Sequence, residues 1–443
     1  MKNISKVFDN FLNGIARVAN TKPLVALKDG FVLTMPLTLI GSIFLLLANL
    51  PIEGYNDFMA NIFGAQWDVG LNQVSGSTFD ILALVTVIGI AYFYTRNEGE
   101  DGIASAVIAV VAFLVVSPSS VISEAGEEIG GVIPKTWVGA QGVITAIIIG
   151  LITGFVFTAL VKRKITIKMP EGVPVGVANA FTALVPGFII ILGSMIIYQV
   201  LITTTNSTVP ELIFEALQVP LQNLSDSFLG GLVITLLISL LFWAGLHGPN
   251  IVMGVMAPIL TANSIANNEL LEAGNLSVEK GAHIMTPQVI DLFVKFGGTG
   301  LTLGLLIAAV LSAKSEQLKS LSKLSLLPGI FNINEPVIFG LPIVYNPYLL
   351  VPFILAPVVG LTITYIAIAT GFMTPFTGVQ VPWTTPPIIS GFIIGGFKGA
   401  LTQLVILILS VLIYLPFMKK QDQAFIENEK SAELSEDLVE NVH

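Results

Sequence analysis

The sequence predicts an all-α polytopic membrane protein of about ten transmembrane helices, and three observations carry that prediction. Of its 443 residues, 54% are apolar and only 11% charged, where an ordinary soluble domain carries about 25% charged residues. The charges gather at the two ends and in a few short connections. Between them lie apolar stretches of the roughly 20 residues that a helix needs to cross a hydrocarbon core about 30 Å thick.

Residues 1–29 open the chain without the short apolar core and cleavage site of a secretory signal. Ile4, Val7, Phe8, Phe11, Leu12, Ile15 and Val18 recur at helical spacing, with Lys6 and Arg17 off that stripe. Such a pattern predicts an amphipathic helix lying on the cytoplasmic surface of the membrane. Candidate spans follow at 30–50, 79–95, 103–117, 142–161, 180–203, 228–246, 250–266, 293–312, 348–371 and 391–416. Residues 30–417 thus form one membrane domain. The end of the chain, 418–443, runs from Lys419-Lys420 through Glu427, Glu429, Glu433, Glu436 and Asp437. It reads as a solvated, mobile acidic tail.

Cations set the orientation. Lys2, Lys6, Arg17, Lys22 and Lys28 precede the first span, and Lys162, Arg163, Lys164 and Lys168 follow the fourth. Lys314, Lys319 and Lys323 follow the eighth, and Lys419 and Lys420 the tenth. With ten spans all of these fall on one side, while the opposite connections hold only Lys135 and Lys280. Both termini are therefore expected in the cytoplasm.

Two apolar stretches cannot be simple spans. Residues 324–347 hold four prolines and two glycines, and residues 374–390 hold Pro375, Pro382, Pro386 and Pro387 around Trp383. Each proline inside a helix removes a backbone donor and clashes with the preceding turn. Irregular backbone at membrane depth is tolerated only where protein buries it or where it lines a wet cavity. These stretches are expected to be two re-entrant hairpins and to hold the binding site.

Several function classes drop out. The net charge is −9 with no basic patch interleaved with aromatics, so nucleic acid is not a partner. Cysteine is absent, excluding disulfides, thiolate metal sites and a cysteine nucleophile within this chain. With no phosphate-binding glycine loop, zinc spacing or Ser-His-Asp set, neither ATP hydrolysis nor a resident cofactor or metal is expected. Energy must come from a gradient or from another protein.

Glu335 is the first candidate for chemistry. It stands in Phe331-Asn332-Ile333-Asn334-Glu335-Pro336, and a carboxylate in the bilayer interior costs about 2.5–3.5 kcal/mol on insertion scales. A hydroxyl-rich ligand offsets that cost by donating to it, and the amides of Asn332 and Asn334 suit the paired hydroxyls of a sugar. The plainer reading is a glutamate capping a short helix begun by Pro336. His247, at the break between two spans in Leu246-His247-Gly248-Pro249-Asn250, can bond a substrate hydroxyl and act as a base near neutral pH; its plainer role is a helix cap. Trp383 offers a flat face to a sugar ring, against the common role of an interfacial belt residue. Asn250 and Trp243 are weaker candidates. His283 reads as a loop residue, and Asp29, Asp80 and Asp291 as caps at span edges.

These segments resemble a known family. Leu-His-Gly-Pro-Asn at 246–250, Phe-Asn-Ile-Asn-Glu-Pro at 331–336 and Val-Pro-Trp-Thr-Thr-Pro at 381–386 are similar to the sugar-transporting EIIC subunits of the bacterial phosphotransferase system, in its lactose/cellobiose/diacetylchitobiose branch. The opening, Ala26-Leu27-Lys28-Asp29-Gly30 leading into Met35-Pro36, looks alike too. The resemblance implies a homodimer of the glucose-superfamily EIIC type, in the bacterial cell membrane. It implies that His247 and Glu335 hold a disaccharide near the hydroxyl to be phosphorylated and that Trp383 packs on the sugar; the residues' own chemistry adds Asn250, Asn332 and Asn334 as substrate-binding candidates. Phosphate would come from phosphoenolpyruvate through HPr, EIIA and a phosphocysteine on EIIB, expected as a separate protein. The competing class is an ion-coupled sugar symporter that uses Glu335 as its proton or cation site.

Overall fold

The structure is a computed structural model that describes residue 14 and residues 17–50, 54–123, 126–170, 172–341 and 343–440. The side chains of Glu335, Phe339 and residues 432–440 are outside that description. The apolar residues proposed for a surface helix before Val18 also lie outside it.

Helices dominate. The first half runs α1 (Lys22–Val32), α2 (Met35–Ala48), α3 (Tyr55–Phe63), α4 (Val69–Phe79), α5 (Leu82–Asn97), α6 (Gly102–Val116), α7 (Val143–Lys162) and α8 (Val175–Thr205). A small hairpin of Ser120–Ile122 and Glu128–Gly130 joins α6 to α7. With no hydrophobic force between helices in lipid, small residues bring backbones together. Gly30 and Gly89 do so where α1 crosses α5: a Cβ on Gly89 would stand 2.3 Å from the Gly30 carbonyl oxygen. Leu82, Val87, Phe113 and Val143 fill the core around that crossing. At one end, Glu98 accepts from Lys162 at 2.5 Å and from Lys22 at 2.7 Å, tying α5, α7 and α1. These two ammonium groups, Lys162 first, hold the Glu98 carboxyl below its ordinary range.

The second half has its own core, from Ile234 on to Phe425. It comprises α9 (Val209–Asp226), α10 (Phe228–Trp243), α11 (Gly248–Glu272), α12 (Thr302–Ser312), α13 (Glu316–Ile330), α14 (Glu335–Gly340), α15 (Pro347–Ala369) and α16 (Ile389–Glu440), this last being two helices joined across a kink where Gly395 and Gly396 leave helical geometry. Every expected span overlaps a helix. Among the described residues seven helices are long and apolar enough to cross a bilayer alone, and an eighth if α9 and α10, bent by 77°, count as one. α6 and α12 are apolar but shorter.

Three departures from expectation have physical causes. Residues 293–301 are not the start of a helix: a π-helical turn at Val289–Val294 leads into Gly297, Gly298 and Gly300, all at positive φ, and only Thr302–Ser312 is helical. The stretch 324–347 is helical to Ile330 with Pro328 inside the last turn of α13, and helical again from Glu335, where Pro336 falls in the first turn of α14, the place a proline is tolerated. The acidic end is not loose where α16 begins to leave the core. The buried Asp422 accepts from the Lys314 and Ser315 backbone N–H groups at 2.8 and 3.0 Å and from the Ser315 hydroxyl at 2.6 Å. Glu429 accepts from Gln317 N–H at 2.9 Å. By contrast 371–388 contains no helix, as its prolines require.

Candidate functional site

Three irregular segments, 295–301, 331–334 and 382–388, converge on one side chain. Asn332 sits at φ 65°, a left-handed conformation that asparagine accepts more readily than most residues. Its Oδ1 accepts from Gly297 N–H at 2.5 Å, and its Nδ2 donates to the carbonyls of Trp383 at 2.5 Å and Thr385 at 2.9 Å. Two residues on, Asn334 donates to the Thr299 carbonyl at 3.3 Å. A Cβ on Gly298 would collide with the Asn334 amide at 2.3 Å, and Gly298 also needs its φ of 100°. Both asparagines are buried. Their amides hold backbone in place, and that backbone continues into Glu335, the first residue of α14.

His247 caps α11. Its Nδ1 accepts from Asn250 N–H at 3.2 Å, and Phe242 meets its ring edge-on at 5.7 Å. Since Nδ1 accepts, the neutral imidazole carries its proton on Nε2, the nitrogen turned away from the cap. The elbow bearing His247 is clamped to the chain that follows α14. The Trp243 indole donates to the Asn346 carbonyl at 2.9 Å, and Tyr345 N–H donates to the Trp243 carbonyl at 2.9 Å. Gly245 of the same elbow faces Val344. Trp243 is thus a brace, and its bonds hold the His247 elbow against the chain just after α14.

Trp383 stands at the tip of its hairpin with 56% of its surface open while its carbonyl is fixed by Asn332. Asn250 is exposed and faces a cleft of about 520 Å³ between α1 and the start of α11. Asn332 and Trp383 therefore belong to one junction whose chain runs on into Glu335, His247 is tied through Trp243 to the chain after α14, and Asn250 looks into a cleft beside α1.

The residues that keep this junction in place were not anticipated. Asn267 donates to the His283 and Phe376 carbonyls at 2.8 Å, and Asn268 accepts from Gly378 N–H at 2.8 Å. Gln288 donates to the Thr377 and Val379 carbonyls at 2.8 and 2.9 Å. Gln403 donates to the Leu292 carbonyl at 2.7 Å and accepts from Ile388 and Gly391 N–H at 2.5 and 2.9 Å. The Tyr414 hydroxyl donates to the Gly300 carbonyl at 2.6 Å. Buried amides stand in for the helical hydrogen bonds that the irregular segments lack. Their signal was visible: Gln403 is an amide deep within an apolar span, and Asn263 and Asn267 share a face of α11. Lys295, paired with Asp291 at 2.7 Å, also went unremarked. His283 is not a bare loop residue, for its Nδ1 lies 3.2 Å from Asp226 Oδ2.

Comparison with known proteins gives this geometry a context. Residues 28–357 match the family described as "Phosphotransferase system, EIIC". The chain is 40% identical to the lichenan permease IIC component of Bacillus subtilis, over 98% of this chain and 97% of that one. It is 39% identical to the cellobiose-specific EIIC component of Geobacillus stearothermophilus, over 94% and 93%. Among solved structures, the transporter ChbC, the IIC component of the N,N'-diacetylchitobiose-specific phosphotransferase system, superposes with a TM-score of 0.89 at 42% identity, covering 94% of this chain and 97% of that chain.

Proposed function

The chain belongs to the phosphotransferase-system EIIC family, and from that premise we propose that it binds a β-linked disaccharide of the cellobiose, diacetylchitobiose or lactose type, moves it inward and presents it to phospho-EIIB. The observation that supports this reading is the bracket made by Asn332, three residues before Glu335 in the chain, which fixes the carbonyls of the exposed Trp383 and of Thr385. A carboxylate for hydroxyls beside a flat indole for the ring face is a sugar-binding pair. The names of the relatives above support a substrate of that class.

In this reading Trp383 stacks on the sugar, Glu335 accepts from its hydroxyls, and Asn250 adds a polar contact. His247 donates rather than abstracts, because the bond from Asn250 N–H leaves the proton on Nε2. Glu335 is then the base that takes the hydroxyl proton as the phosphoryl group arrives. The transfer needs mostly positioning and charge stabilisation. Asn332 and Asn334 set the position of Glu335 and Trp383 and touch sugar less than the sequence suggested.

The finer assignments go with it. The membrane part is 30–417, the ten spans are the seven long helices, the bent pair α9 and α10 as an eighth, and α6 and α12, and both termini are cytoplasmic. The protein works as a homodimer, with EIIB fed by EIIA and HPr. The test is sugar uptake by proteoliposomes given phosphoenolpyruvate and the soluble partners. Uptake that requires them and survives an uncoupler supports the reading. Uptake that needs only an ion gradient refutes it in favour of a symporter.

A further inference from the structure

We infer that Lys28 is the cation that stabilises the phosphoryl group on its way to the sugar, and that the cleft it lines holds the phosphate of the product; this rests on the phosphotransfer reading above. From sequence Lys28 is one of the cations before the first span. In the structure it lies within α1, six residues after Lys22 and so about 9 Å further along the helix.

Its stem crosses α11 at Gly254. A Cβ there would meet Lys28 Cβ, Cγ and Cδ at 3.6–3.9 Å, ordinary contact distances. Gly254 lies one turn beyond Asn250, and Asn250 one turn beyond the His247 cap, so the three share a face of the helix. The cleft of about 520 Å³ between the helices has Leu24, Val25 and Lys28 of α1 on one wall and Leu246, Asn250 and Ile251 at the start of α11 on the other. Lys28 thus stands across a largely apolar cleft from the residues that flank His247.

Its charge is uncommitted. Among the described residues the lysine–carboxylate ion pairs are those of Lys22, Lys135, Lys162, Lys295 and Lys319; Lys28 takes part in none. A cation without a carboxylate, in a cleft of apolar walls, suits an anion.

The chemistry requires such a group. The sugar-binding set of Glu335, His247, Asn250 and Trp383 contains a carboxylate and no fixed cation. In the transfer, the sugar oxygen forms a bond to phosphorus as the bond from phosphorus to the donor cysteine's sulfur breaks. Sulfur leaves with the electron pair as thiolate, and the hydroxyl proton passes to Glu335. Charge on the three phosphoryl oxygens then needs a positive partner. Lys28 supplies it, and afterwards holds the sugar phosphate against repulsion by the site's own carboxylate.

Because the chain has no cysteine, chemical rescue tests this directly. Lys28→Cys protein in proteoliposomes, with phosphoenolpyruvate and the soluble partners, is assayed for cellobiose binding and cellobiose phosphorylation. It is compared before and after aminoethylation, which restores an ammonium at nearly the original length. Binding should stay within about threefold of the native value while phosphorylation falls by about 10²- to 10³-fold, the usual worth of one charge-stabilising donor. Aminoethylation should recover at least about tenfold, and neutral alkylation with iodoacetamide should recover nothing. Phosphorylation at the native rate in Lys28→Cys overturns the inference, as does a parallel loss of binding or rescue by iodoacetamide. If Lys28→Cys fails to fold, Lys28→Arg against Lys28→Gln decides: only arginine should keep phosphorylation, and equal rates overturn the inference. Should the native protein bind sugar yet phosphorylate none under these conditions, the phosphotransfer reading itself has failed and Lys28's role falls with it.

Discussion

Replacing Asn332 tests whether the junction is held by one side chain. Alanine there leaves three backbone groups without partners: Gly297 N–H and the carbonyls of Trp383 and Thr385. A buried group stripped of its partner costs about 1–3 kcal/mol, but polar pairs in membrane proteins average nearer 0.6 kcal/mol because alternative partners are found. Three such losses give about 2–4 kcal/mol after partial compensation. That energy separates hairpin tips and leaves the two cores intact, so it appears as weakened sugar affinity at about 1.4 kcal/mol per decade. Asn332→Ala should lose about 30- to 1000-fold in affinity by titration calorimetry while remaining monodisperse. Asn332→Asp should do worse although it is closer in shape, since it sets a second oxygen against two carbonyls. Tryptophan fluorescence without sugar should shift in Asn332→Ala and not in Asn332→Ala combined with Trp383→Phe. Aspartate restoring affinity, or lost affinity with unchanged sugar-free fluorescence, refutes a positioning role and makes Asn332 a direct sugar ligand.

Other consequences are equally open to measurement. Glu335→Gln should keep part of the sugar binding while phosphorylation falls about 10²- to 10⁴-fold, whereas His247→Gln, which keeps a donor, should stay within about tenfold on both; the reverse pattern makes His247 the base. A cysteine placed within 314–323 should react only with reagent applied from the cytoplasmic side, and labelling from outside in intact cells overturns the orientation. Because its two lysines hold the Glu98 carboxyl low, the bridge stabilises above the ordinary carboxylate pKa of about 4.3 and fades as pH falls through the lowered value. The melting-temperature gap between native protein and Glu98→Gln should therefore be present at pH 7 and shrink toward pH 3; a gap independent of pH sinks that account.

Much of this was legible because membrane segments obey few rules. Length and apolarity placed the spans, and clustered prolines marked where helices had to end. Asn332 and Trp383 meet at one junction with Asn334 two residues on, and the elbow of His247 is braced against the chain after α14. What sequence could not supply was partnership. Asn332 looks like a sugar ligand until its amide is seen between two carbonyls 51 and 53 residues away. Residues 293–301 pass for a helix start on hydropathy, and their glycines become decisive only once the Asn334 amide and the Phe353 ring press against them. The end of the chain reads as solvent-borne by charge alone, yet Asp422 is buried by its fit to the first turn of α13. These hydrogen bonds join residues 51 to 108 positions apart, beyond the reach of any local pattern.

That last contact makes α13 a strut with both ends bolted. Ser315, donating to Asp422, also caps the helix by accepting from Leu318 N–H. Fifteen residues later the helix runs into the Asn332 turn, a span of about 22 Å. A rigid rod in that position transmits displacement: a push or pull on α16 near Asp422 arrives at the Asn332 turn, softened only where Pro328 thins the last turn. A reporter or fused domain attached near the end of α16 is therefore mechanically in series with the site, and cutting the chain before Asp422 slackens a hairpin tip whose own sequence is untouched.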